Sequence, residues 1–342
     1  MNQQPNPETE RKRVLMPLRR LWVRRLVAGA ALTLALLAVA GLAYQAIASA
    51  LDARRFPPPG KMVDVGGHRL HLYSTGEGSP TVIMEAGIEG CSLTWCKVQP
   101  EVAKFTRVCS YDRAGLGWSD AGPMPRTGRQ IVGELHALLQ NAGIPGPYVL
   151  VGHSFGGLVV RLFAGEFPQE VADMVLVDSA HEDQFAGPMP EEDKGFITWL
   201  HGHVAAERRW AAFGITRLFY VKDDPKLPAD VRAEERALRS RAAFWDARYS
   251  EEWPTDENVT HEDSQAWKAG PLPQVPLVVL TAGGHPPKMI ELQNELASRS
   301  ANSLHLTVSD TGHFIQLDQP NAVVDAIRRV VMAARETRPL DP

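Results

Sequence analysis

The residues with the plainest chemical potential are Gly152-His153-Ser154-Phe155-Gly156. A serine flanked at both second neighbours by glycine is the G-x-S-x-G pattern of a nucleophile elbow. The pattern has meaning only between a strand and a helix. Tyr148-Val149-Leu150-Val151 reads as a buried strand, and Leu158 to Ala164 resumes the apolar pattern at helical spacing. At such a turn the serine backbone is strained so that its hydroxyl projects clear of the sheet. A Cβ at position 152 or 156 would collide with the adjoining strand or helix. The helix starting at Phe155 aims its positive end where negative charge develops in acyl transfer. The simpler alternative is a β–α turn whose serine caps the helix. The elbow requires a base as well, because a serine hydroxyl is a poor nucleophile until its proton is taken.

The elements that must position this serine alternate along the chain. Lys61–Val65 and Arg69–Ser74 flank Gly66-Gly67 and predict a hairpin at a sheet edge. Thr81–Met84, Arg107–Tyr111, Met174–Val177, Leu277–Thr281 and Ser303–Val308 read as further strands. Between them, Trp95–Phe105 is expected to form helical pieces limited by Pro100. Thr127 is expected to cap a helix over residues 128–141. Helices are also expected near 287–299 and 320–335. The alternation implies a mostly parallel sheet covered on both faces, with ligands bound beyond the carboxyl ends of its strands. Residues 181–270 show no convincing strand and predict an inserted helical cap, splitting the core into 61–180 and 271–336. The cap aromatics Trp199, Trp210, Trp245, Trp253, Trp267, Phe196, Phe213, Phe219 and Phe244 are expected chiefly to build its own small core, a few of them lining an apolar pocket.

The 342 residues carry a net charge of -4, unevenly spread. Residues 1–25 hold seven Arg and Lys against Glu8 and Glu10, leaving 29 basic and 38 acidic residues beyond. No nucleic-acid surface is expected there. Residues 26–51 contain no charge and would rise ~39 Å as a helix, enough to cross a ~30 Å hydrocarbon core. The basic flank predicts a cytoplasmic N-terminus and an exported domain on a single-pass anchor. Secretion after cleavage near Ala50 is the alternative. Residues 52–60, with three prolines, are expected to form a stiff spacer. Cys91, Cys96 and Cys109 are too few for a disulfide framework and read as structural.

From residue 61 to about 335 the chain resembles the α/β-hydrolase superfamily. The resemblance rests on the elbow at 152–156, Glu85-Ala86-Gly87-Ile88, Tyr111-Asp112-Arg113-Ala114-Gly115-Leu116-Gly117-Trp118-Ser119, and Asp310-Thr311-Gly312-His313-Phe314. It looks most like the cap-bearing branch of esterases, haloalkane dehalogenases and epoxide hydrolases. Halide- and epoxide-opening members carry aspartate at the elbow; Ser154 points to ester-type chemistry. The resemblance implies His313, in the loop after the last strand, as the base, ahead of His153, His285, His201 and His203. It implies Phe155 and Ile88 as backbone oxyanion donors. Many members place the acid after the strand that here ends at Thr281, but this chain has Ala282-Gly283-Gly284-His285-Pro286-Pro287. Some place it one strand earlier, where Asp178 stands; Glu182, Asp183 and Glu291 are the other candidates. Asp112 and Arg113 are expected to brace the site as an internal ion pair, with direct substrate contact by Arg113 a second option.

These readings imply a membrane-anchored serine hydrolase of small-molecule esters, needing no metal or organic cofactor. Acyl transfer to another alcohol shares the same intermediate. A non-catalytic binding protein on the same fold is the rival from another class, supported by the missing carboxylate after Thr281. A peroxidase-like side activity is a third reading. Oligomeric state is left open by the sequence.

Overall fold

The computed structural model describes residues 7–184, 191–251, 272 and 274–340. Among the described residues eight strands form one sheet: β1 Lys61–Asp64, β2 Arg69–Thr75, β3 Thr81–Glu85, β4 Val108–Tyr111, β5 Tyr148–His153, β6 Val171–Val177, β7 Leu277–Ala282 and β8 Ser303–Val308. Their order is β1-β2-β4-β3-β5-β6-β7-β8. β2 runs antiparallel to both neighbours, and every pair from β4 across to β8 is parallel. The β1–β2 edge hairpin turns at Gly66 and Gly67, whose φ of 114° and 106° lie in the region open to glycine.

The helices are α1 Pro7–Arg55, α2 Gln99–Val102, α3 Gly128–Asn141, α4 Phe155–Glu166, α5 Glu191–Ala211, α6 Ile215–Phe219, α7 Ala229–Arg239, α8 Ala242–Glu251, α9 Pro287–Ser298, α10 Ile315–Asp318 and α11 Pro320–Glu336. The strand period of two sorts side chains between two cores. Tyr148 and Leu150 of β5 pack with α3, α4 and α9 on one face. Val149 and Val151 pack with α11 on the other. α3 begins where expected because Thr127 Oγ1 accepts the Gln130 N–H at 3.3 Å, a cap worth ~1 kcal/mol. Within the expected stretch 95–105 the structure has the single turn α2, with Pro100 in its first turn, and a 3-10 turn at Ser92–Trp95 precedes it.

Between β6 and β7 the described residues contain helices α5 to α8 and no strand. The aromatic residues of this insertion divide differently from the expectation. Phe244 and Trp245 are buried with Leu116, Ala211, Val221 and Ala247. Trp199, Trp210 and Phe219 are exposed. Trp253, Trp267 and the side chains of Phe196 and His201 lie outside what the structure describes. The spacer also begins later than expected. α1 continues through Arg55, so Asp52–Arg55 is its last turn and only 56–60 connects it to β1. α1 includes one stretch, Arg20–Arg55, long and apolar enough to cross a membrane. The three cysteines are free thiols, with Cys91 and Cys109 buried.

Candidate active site

Ser154 sits between β5 and α4 with φ 53° and ψ -122°, a conformation that costs a non-glycine residue ~1–3 kcal/mol. Its surroundings enforce it. The Ser154 N–H donates to the Val177 carbonyl at 3.1 Å, and its carbonyl accepts the Ala180 N–H at 2.9 Å. The flanking glycines are steric necessities. A Cβ on Gly152 would lie 2.5 Å from the Gly156 carbonyl oxygen, and one on Gly156 the same distance from that of Glu85.

Asp178, at the carboxyl end of β6, also has a positive φ, 43°. Its buried carboxylate is 2.7 Å from His313 Nδ1 through Oδ2. It accepts the Ala282 N–H at 2.9 Å. His285 Nε2 lies 2.8 Å from each carboxylate oxygen. Burial works to raise the Asp178 carboxyl, but the hydrogen bonds from His313, the Ala282 amide and His285 outweigh it and hold it below its ordinary range. β6 and β7 are parallel neighbours, so the loop after β7 closes over the end of β6. The other acid candidates have different partners. Glu182 bonds Arg161 and Arg299, each at 2.6 Å. The Asp183 N–H donates to His181 Nδ1, and Glu291 is exposed on α9.

His153, adjacent to the serine, is buried against His313. Its Nε2 is 2.9 Å from the His313 carbonyl oxygen, and the two rings are 4.7 Å apart. Burial, then the neighbouring His313, pushes its pKa down to about 3. It therefore stays neutral and supports the His313 backbone. His203 Nε2 lies 3.3 Å from Glu207 Oε1 within α5, away from the cavity lining.

Asp112 and Arg113 do not pair with each other, contrary to the expectation. Asp112 accepts from the Ser92 and Trp118 amides and faces His71 Nδ1 at 2.9 Å. Arg113, 2% exposed, forms a bidentate pair with Glu251 at 2.8 Å and bonds Glu85 at 2.5 Å. It also donates to the carbonyls of Ala86 and Gly87, both at 2.9 Å. A direct substrate contact is thereby excluded for it, since its donors serve these four groups. Burial raises Glu85 to about 7, against the pull of Arg113 and the Tyr111 hydroxyl. Glu251 closes α8, so this arginine ties the insertion to the loop after β3.

That loop lies against the elbow: a Cβ on Gly87 would be 2.9 Å from His153 Nδ1 and 3.2 Å from Ser154 Cβ. Ile88, Ser154, Phe155, Asp178, His285 and His313 all line one cavity of about 500 Å³, whose wall is largely apolar. The candidate residues drawn from separate strand ends are thus brought to one place. Among the described residues no group of three or more His, Cys, Asp or Glu is arranged to hold a metal.

The sequence profile described as alpha/beta hydrolase fold matches residues 80–320. The chain belongs to the α/β-hydrolase family. It is 33% identical over 124 residues to the uncharacterized protein YqjL of Bacillus subtilis, covering 36% of this chain and 49% of that protein. It is 34% identical over 103 residues to the putative carbamate hydrolase RutD of Klebsiella pneumoniae, covering 30% and 38%. The chain spans about a fifth to a half of the length of the curated relatives it matches. In structure it superposes on a thermophilic esterase from Thermogutta terrifontis with a TM-score of 0.59 at 23% identity, over 80% of this chain and 98% of that one. That likeness speaks to the fold.

His285 was visible in the sequence as a departure, a histidine where family members often carry an acid. Its bond to Asp178 was not. The only available signal was that Asp178 and residues 282–285 follow adjacent strands. The Arg113–Glu251 link had no sequence signal, since 138 residues separate the partners.

Proposed function

We propose that the chain is a serine hydrolase of carboxylic esters or related acyl compounds, tethered to a membrane by α1. The His313–Asp178 hydrogen bond of 2.7 Å, in the cavity that also holds Ser154, carries this reading. Asp178 accepts the Nδ1–H, which leaves Nε2 as the base and balances the imidazolium once formed. Ser154 Oγ attacks the carbonyl carbon while His313 takes its proton. The carbonyl oxygen becomes an oxyanion that accepts from the Ile88 and Phe155 N–H groups. Collapse expels the alcohol, which leaves with the proton held by His313. Water then attacks the acyl carbon, giving its proton to His313, and the acid departs as Ser154 recovers that proton.

The Arg113 clamp supports the oxyanion assignment. In a planar trans peptide the Gly87 carbonyl and the Ile88 N–H point in opposite directions. Holding that carbonyl at 2.9 Å turns the Ile88 N–H away from Arg113 and keeps it there. The apolar wall of Ile88, Ala180, Met289 and Leu292 suits an acyl chain. The basic flank of α1 favours a cytoplasmic N-terminus, with the catalytic domain on the opposite side. The bond from Asp178 to His313 favours this reading over a non-catalytic protein, because a carboxylate at the end of β6 stands in hydrogen-bond contact with the proposed base where none follows β7. Turnover of p-nitrophenyl acetate and butyrate by the parent, Ser154→Ala and His313→Ala proteins tests the proposal. Equal turnover by all three would refute it.

A further inference from the structure

α1 does not leave the domain freely. From residue 20 to 37 its side chains are exposed. From Gly41 onward one face, spaced three to four residues apart, rests on the insertion. A Cβ on Gly41 would meet the Phe213 carbonyl oxygen at 2.7 Å, and one on Gly214 would meet the Tyr44 ring at 2.7 Å. Gln45 donates to the Ser240 carbonyl at 2.7 Å and accepts from Arg217 Nε at 3.2 Å. Arg217 pairs with Asp52 at 2.5 Å. Gln45, the most polar residue inside the uncharged stretch, is covered by these contacts.

The contacts set the height of the insertion against a bilayer. A ~30 Å hydrocarbon core takes about 20 helical residues. Arg24 and Arg25 bar it from starting before Leu26, so it ends no earlier than about Gln45. Gly41 then lies at least ~6 Å inside it, at 1.5 Å per residue. Phe213, packed on Gly41, is drawn to that depth. Around Phe213 the insertion exposes Trp210, Leu218, Phe219 and Tyr220, at 48%, 59%, 69% and 43%. The Trp210 and Phe213 rings are 6.5 Å apart, and Tyr220 continues the surface across His203 to Trp199. Aromatic rings with one polar edge suit the zone between acyl chains and headgroups.

We propose that this face, residues 210–220 of the insertion, is seated in the leaflet that α1 enters from the domain side, so that the insertion and not α1 alone holds the protein on the bilayer. The inference rests on α1 spanning a membrane and is independent of the chemistry at Ser154.

The full chain in phosphatidylcholine liposomes tests it, with the fluorophore NBD on Phe219→Cys and, separately, Leu218→Cys. Both side chains are exposed, and thermal melts matching the parent establish folding. Lys104→Cys, beside the amino ends of the strands and so opposite the insertion, is the control. The parent protein gives the labelling background of its own partly exposed Cys96. After flotation, doxyl-labelled lipid is expected to quench NBD at 218 and 219 roughly twofold or more beyond that at 104. Protein that floats with equal quenching at all three sites overturns the seated face while leaving the anchor standing. So does self-association that buries the two probes without quenching. Protein that fails to float overturns both.

Discussion

Replacing Asp178 by asparagine separates its candidate role from a structural one. The carboxylate receives three partners: His313 Nδ1 at 2.7 Å, the Ala282 amide at 2.9 Å and His285 Nε2 at 2.8 Å. An asparagine offers one oxygen to them and turns two N–H donors towards an imidazole. His313 then takes the tautomer with its proton on the nitrogen facing the serine. Converting the acid of such a triad to its amide costs about 10⁴ in kcat, equivalent to roughly 5 kcal/mol of barrier at 1.36 kcal/mol per decade. Stability should fall less. One or two charge-assisted bonds at about 1.5–3 kcal/mol each are weakened, and His285 is partly exposed and can be rehydrated. A shift of several degrees in Tm is expected, with the protein folded at 25 °C. Glu182→Gln is the matched control, because Glu182 joins Arg161 and Arg299. It should lower Tm while keeping kcat within about threefold. Steady-state p-nitrophenyl butyrate hydrolysis with melts of each variant decides the matter. Asp178→Asn retaining more than a tenth of parent kcat, or Glu182→Gln losing as much, would refute the assignment.

Three other perturbations follow from the same structure. Arg113→Met leaves Glu85 and Glu251 buried without their cation, costing ~3–5 kcal/mol, and frees the Gly87 carbonyl; in whatever fraction folds, kcat should fall more than KM rises. His285→Ala should lower Tm by a few degrees, because Asp178 loses one of its three partners; His285→Gln, which keeps an N–H donor, should recover most of that loss, and melts unchanged from the parent would contradict the sharing. Asp173, buried in β6 with neither oxygen partnered, is raised by burial to about 7. The folded protein therefore binds a proton the unfolded chain has lost between about pH 4 and 7, so stability falls as pH rises through that window, by at most about 4 kcal/mol. Urea melts of Asp173→Asn across the window should show that slope removed.

The central strands are legible because most are short runs rich in Val, Ile, Leu or Tyr, and β2 and β8 because apolar and polar residues alternate in them; the alternation of strands with helical stretches points to the sheet class. The elbow was legible because its glycines answer a local steric demand. Asp178 stands out in the sequence only as one carboxylate among competitors near a strand end, since its bond to His313 depends on the fold-back of a loop 135 residues away. The Asp112–Arg113 expectation failed because adjacent residues at a strand end point to opposite sides. Asp112 turned to His71 and Arg113 to Glu85 and Glu251. The docking of α1 left a faint trace, Gly41, Gln45, Ser49 and Asp52 on one helical face, which an apolar stretch read only for length conceals.

The most direct measurement is labelling by a fluorophosphonate probe, read by peptide mass spectrometry on the folded full-length chain. The expected result is a single phosphonylated residue, Ser154, with labelling abolished in Ser154→Ala and strongly slowed in His313→Ala. A folded parent protein that takes up no probe, or takes it up at another residue with Ser154 unmodified, would contradict the proposed nucleophile.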